Sequence, residues 1–159
     1  MKYFTINELC VSGSYPKLVE VPKEGTKEYL NLKVLIDSCL DPIREHLKGP
    51  VTVTSGYRPP KLNTAVGGSK TSAHLKGLAA DIHFGNNSTD NVKIIQAAIA
   101  SVPHFDQIIA EGAVFNPDGS LKSCKWVHVG LSTSNPRKQI LWTSDMKTYK
   151  ALTITLRKA

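Results

Sequence analysis

The chain has 159 residues, 41% of them hydrophobic, with 20 Lys and Arg against 13 Asp and Glu and a net charge of +7 when histidine is neutral. The length suits one domain over residues 1–159, and the apolar share supplies a core, which excludes a disordered chain. The basic balance favours anionic partners such as an acidic cell-wall polymer, but the lysines are spread and the aromatic residues, at 7%, do not interleave with them, which argues against a base-stacking nucleic-acid binder.

The opening "MKYFTINELC" has no continuous apolar stretch, so no signal peptide is expected, and no run approaches the roughly 18 residues of a membrane span. Synthesis in the cytoplasm, a monomer and no membrane partner are the expectations. The turn-rich "SGSYPKLVEVPKEG" is expected to wrap the surface. Leu32, Leu35, Ile36, Cys39, Leu40, Ile43 and Leu47 then recur at steps of three and four, which predicts an amphipathic helix. Thr26 is its expected cap, Pro42 a bend or interruption, and "KGP" at 48–50 its end. "VTVT" (51–54) reads as a strand leading into the loop "SGYRPP", and "LNTAVGGS" as a helical turn broken at Gly67-Gly68. "AADIHF" (79–84) reads as a strand. "NVKIIQAAIASV" reads as a second helix, with Ser88, Thr89 or Asp90 as cap and Pro103 as terminator. The last third reads as strands: "FDQIIAE" and "KWVHVG" flanking the turn "NPDGS", then "KQILW" and "ALTITL". Helices followed by hairpin-linked strands imply an α+β fold, a small antiparallel sheet with helices packed on one face. Cys10, Cys39 and Cys124 are odd in number and lack CxxC spacing, so they are expected to be small core residues.

The chemistry concentrates in "SAHLKGLAADIH" (72–83), which holds His74, Asp81 and His83. Metal–ligand bonds of about 2.0–2.2 Å need donor atoms a few Å apart. His74 and Asp81 are seven positions apart, about 10 Å along a straight helix or about 23 Å along a strand, so chelation requires a fold-back. Gly77 can supply it, and Ala79 and Ala80 let backbone pack closely behind. Asp81 and His83 share a strand face, which permits a local triple. The competing third ligand is His128 in "WVHVG", and periodicity does not choose between the two histidines.

The segments "SGYRPP", "GGSKTSAHLKGLAADI", "FDQIIAE", "KWVHVG" and "NPRKQIL", with "FTINEL" and "LDPIREHL" before them, are similar to those of the peptidase M15 family. Within that group of zinc D-alanyl-D-alanine carboxypeptidases the likeness is to the small, phage-type cell-wall peptidases. The resemblance implies a Hedgehog/DD-peptidase-like fold and a Zn2+ ion held by His74, Asp81 and His128, with one position open for water. By the same resemblance, Ser72 orients a ligand or the adjacent turn. Arg58 stabilises the oxyanion, and His83, Tyr57 and Trp126 line the site or pack beside it.

Several branches of the family carry an acidic residue three positions before the last histidine ligand; here Lys125 stands there and cannot act as a carboxylate base. Glu111, on the face of "FDQIIAE" shared with Gln107 and Ile109, is the expected replacement. Asp106 is second choice, and His83 or His104 could serve as acid. The implied function is zinc-dependent hydrolysis of peptidoglycan stem peptides, of the D-Ala-D-Ala carboxypeptidase or L-Ala-D-Glu endopeptidase type. A phage lysis enzyme acting at the cell wall or periplasm is the expected setting. A non-catalytic zinc-containing wall-binding module on the same fold is the alternative that Lys125 motivates. A nucleic-acid binder rests on net charge alone.

Overall fold

The computed structural model describes residues 1–153. Its centre is a six-stranded sheet in the order β1 (Val51–Ser55), β2 (Ala79–Phe84), β6 (Trp126–Gly130), β3 (Gln107–Glu111), β7 (Gln139–Thr143) and β8 (Lys150–Ala151). Two short strands, β4 (Val114–Phe115) and β5 (Leu121–Ser123), form a separate hairpin around "NPDGS". The expected hairpin turn therefore belongs to this small ribbon, while β3 and β6 pair with each other farther back.

The fold is α+β, and four of the five neighbouring strand pairs in the main sheet are antiparallel. The exception is β3 with β7, which are parallel. The cause is topological: the connection after β6 passes over β3 and lays β7 on its far side, so β3 sits between two strands of a hairpin-like return.

One face of the sheet is apolar. Ala80, Ile82, Ile108, Ala110, Val127 and Val129 alternate along their strands toward the core and meet Leu32, Ile36, Ile43, Ile94, Ile95 and Ala98 from the helices. Those helices are α1 (Lys27–Leu35), α2 (Asp41–Leu47) and α4 (Val92–Ser101), while the short α3 (Pro60–Ala65) lies in the loop after β1. Thr26 caps α1 by accepting from the Tyr29 amide. The α-helix is interrupted ahead of Pro42, as expected: Ile36–Leu40 form a π-helical turn whose last bond runs from the Asp41 amide to the Ile36 carbonyl. This widening removes the clash that the proline ring would make in an ordinary helix and needs no Pro42 N–H.

Helix α4 is not capped by Ser88, Thr89 or Asp90. Asn91 precedes its first residue and makes no capping bond. Its buried amide instead accepts from the Phe84 amide and donates to the Cys124 and Lys125 carbonyls, tying β2, α4 and β6 together. Cys10, Cys39 and Cys124 are all buried and unpaired with one another, and burial pushes their thiols up to about 11, 12 and 12. They are core residues, as their spacing implies. Of the strand expected at "ALTITL", the start pairs as part of β8, and residues 154–156 lie outside the described residues.

Candidate metal centre

The polar face of the sheet carries the site. Asp81 on β2 lies opposite His128 on β6, which lies opposite Ile109 on β3. His74 arrives from outside the sheet, on the single 3-10 turn Ala73–Lys76. The Ser72 hydroxyl starts that turn by accepting from the His74 amide. Gly77 ends it with φ +73, and the Leu78 amide closes back on the Ala73 carbonyl. The fold-back demanded by the spacing of His74 and Asp81 is this turn, and a left-handed residue at its end is what glycine tolerates best.

The donor atoms converge. His74 Nε2 is 3.3 Å and His128 Nδ1 3.2 Å from Asp81 Oδ1, and the three lie within 4.8 Å of one another. With bonds near 2.1 Å, neighbouring donors of a tetrahedral ion are about 3.4 Å apart, so both distances from Asp81 match. His74 Nδ1 is 2.7 Å from the Gly56 carbonyl. That contact fixes the N–H on Nδ1 and turns the Nε2 lone pair to the other donors. Burial lowers the pKa of His74, although Asp81 opposes it, so the ring stays neutral as a ligand must. Burial alone would raise Asp81, but His74 and His128 together hold its carboxyl well below the usual range. Two imidazole nitrogens and one carboxylate are a donor set that suits zinc. His83 is not part of it.

Arg58 is fixed on the same carboxylate. Its Nη2 donates to Asp81 Oδ2 at 3.1 Å and its Nε to Ser55 Oγ at 2.9 Å. Burial lowers its pKa, opposed by Asp81 and Glu111. The loop that carries it is held from both sides, the Tyr57 amide on the Leu9 carbonyl and the Arg58 amide on the His74 carbonyl. A Cβ on Gly56 would fall 2.2 Å from the Leu9 carbonyl oxygen, so this crossing requires glycine.

Glu111 ends β3, opposite Trp126 and beside Thr143. It is 9% exposed and lines the same open cleft, of about 1110 Å3, as the triad and Arg58. Burial and then Asp81 push its carboxyl up to about 7, against the pull of His128 and Arg58. A carboxyl poised near neutrality beside a metal-type triad can take and return a proton.

Other residues fall elsewhere. Trp126 and Ser72 line the cleft. Tyr57 does not; it packs against the core. His83, whose pKa burial lowers, lines a separate depression of about 210 Å3 with Lys125 and the Phe84–Ser88 loop. Lys125 lies against Gly112, where a Cβ would be 2.7 Å from its Cγ. Asp106 is clamped by Arg137, which reaches it through its amide (2.8 Å), Nε (3.1 Å) and Nη2 (2.7 Å), so it is not available as a base. His104 is exposed and does not line the cleft. The residues that sequence reasoning missed are those of the far wall, Leu131–Ser134, Met146 and Tyr149, which no motif or periodicity marks.

A family model described as Peptidase M15 matches residues 2–130. No curated protein matches the chain.

Proposed function

The chain belongs to the peptidase M15 family, and on that basis we propose that it is a zinc peptidase that hydrolyses peptide bonds in peptidoglycan stem peptides. The observation that carries the reading is Glu111, a buried carboxylate facing the cleft beside His74, Asp81 and His128. It takes up the role that Lys125 cannot play, and it favours a catalytic protein over a wall-binding module.

His74 Nε2, Asp81 Oδ1 and His128 Nδ1 would hold the ion, which when bound supplies Lewis acidity for a carbonyl and for water. Glu111 accepts the proton of the attacking water on its carboxylate and returns it to the leaving amine nitrogen. Arg58 keeps Asp81 anionic and in place, and its remaining N–H groups face the carbonyl oxygen as negative charge builds there. Trp126 and the hydroxyl-lined rim at Ser69–Ser72 hold the peptide along the cleft. Action on the wall, as part of phage-type lysis, follows from this substrate class. Terminal D-alanine removal and cleavage after L-alanine both fit an open cleft.

The test combines metal analysis with mass spectrometry of digested peptidoglycan. Wild type should bind one zinc and release stem-peptide fragments. Glu111→Gln should keep the zinc and lose at least about 100-fold in turnover, the range of a missing general base. His128→Ala should lose zinc and His83→Ala should retain it. Near-normal turnover in Glu111→Gln would remove Glu111 from the mechanism, and zinc loss in His83→Ala would overturn the ligand set.

A further inference from the structure

The far wall of the cleft comes from residues beyond Gly130, outside the part matched by the family model. Its most exposed aromatic residue is Tyr149, 44% accessible. The register of β7 with β8 sets Trp142 opposite Lys150, and continued by one pair it sets Tyr149 opposite Thr143. Thr143 in turn lies beside Glu111, and Glu111 opposite Trp126. Trp126, Glu111, Thr143 and Tyr149 therefore form one row across the polar face. Thr143 is fully buried, and Glu111 and Tyr149 line the same cleft. Arg58, bound to Asp81 on β2, stands on the other side of Glu111 in the strand order.

The turn that delivers Tyr149 is stitched. Asp145 Oδ1 accepts from the Lys147 and Thr148 amides at 2.8 and 2.7 Å, and the Met146 amide donates to Thr143 Oγ1 at 3.0 Å. The phenol itself has only a long contact, 3.4 Å, to the Met146 carbonyl. A hydroxyl bond of that length is weak, so the donor can be redirected at small cost. Burial, then the charges of Glu111 and Asp81, raise its pKa and keep it protonated at neutral pH.

We propose that Tyr149 binds the substrate at this centre, donating its phenolic proton in a hydrogen bond to a carbonyl oxygen of the peptide on the side of Glu111 away from Arg58. The inference rests on the peptidase reading above. It makes the cleft a two-sided clamp, with a guanidinium at one flank of the general base and a neutral phenol at the other. The two donors would hold different carbonyls of an extended peptide that crosses the strands.

The test uses the full-length, zinc-loaded chain with soluble stem peptides, comparing wild type, Tyr149→Phe and Tyr149→Ala. Tyr149→Phe keeps the ring and its packing, so melting temperature and zinc content should not change, while kcat/KM should fall at least fivefold. In the Glu111→Gln background, the same substitution should weaken peptide binding measured by calorimetry by a similar factor. A loss smaller than fivefold in Tyr149→Phe, with or without a loss in Tyr149→Ala, overturns the proposal, because the ring rather than the hydroxyl would then matter. If wild type cleaves no stem peptide, the peptidase reading itself fails and takes this inference with it.

Discussion

At the scale of single residues, the site is arranged around one carboxylate. Asp81 Oδ1 lies 3.3 Å from His74 Nε2 and 3.2 Å from His128 Nδ1, and its Oδ2 accepts from Arg58. Glu111, on the same face and lining the same cleft, bears the consequence: burial first, and then the charge of Asp81, push its carboxyl up to about 7. This has a measurable sign in the metal-free protein. The folded-state pKa, about 7, lies above the ordinary 4.5, so between those values the folded state binds a proton that the unfolded chain releases. The contribution of Glu111 to stability is therefore most favourable below pH 4.5 and declines as pH rises through 7. After allowance for water in the open cleft, Glu111→Gln should raise metal-free stability at pH 8 by about 1–2 kcal/mol. Urea denaturation at pH 8 and at pH 5 checks this; the gain should nearly vanish at the lower pH. A cation at the triad favours the charged form, so zinc loading should shrink the gain as well.

At the scale of elements, the turn Ala73–Lys76 decides whether a site forms. Gly77 closes it with positive φ, and a Cβ there would sit 2.8 Å from the Glu28 carbonyl oxygen and 3.1 Å from Leu32 Cγ. Gly77→Ala should cost about 2–4 kcal/mol from combined backbone strain and overpacking. Zinc affinity should fall at least tenfold as His74 is displaced from Asp81, and both effects can be read by denaturation and metal titration of one variant. This turn was legible in the sequence because a seven-position step between His74 and Asp81 admits few geometries, and a glycine stood where the reversal had to be. Glu111 was legible because strand alternation put it on the polar face. The helix path was less so. Pro42 signalled a break, but the chain absorbed it by widening the preceding turn, a solution that residue spacing does not disclose. Asn91 looked like one more polar residue near a helix start, and its amide is committed to three backbone groups, one at the end of β2 and two just before β6. The wall that holds Tyr149 was hidden for the same reason, since its place depends on β7 pairing beside β3.

At the scale of the whole molecule, the helices cover one face of the sheet and the metal-type triad occupies the other. The hydrophobic core runs from Phe4 to Leu131 and includes none of the three ligands. Zinc should therefore act as a bound ligand and not as the scaffold. Removing it with a chelator should lower the melting temperature, by an amount equivalent to about 2.7 kcal/mol when free zinc had stood at 100 times its dissociation constant. Far-UV circular dichroism at 25 °C should stay unchanged, whereas a structural zinc site would unfold on chelation. The arrangement also divides labour along the chain. The metal-type triad, with Glu111 and Arg58, is complete by Gly130, and residues 131–153 close the sheet and build the far bank of the cleft. To a protein engineer that boundary is a design seam: side chains of the far bank could be varied to retarget the molecule, provided the residues of β7 that pair with the Glu111 strand are kept.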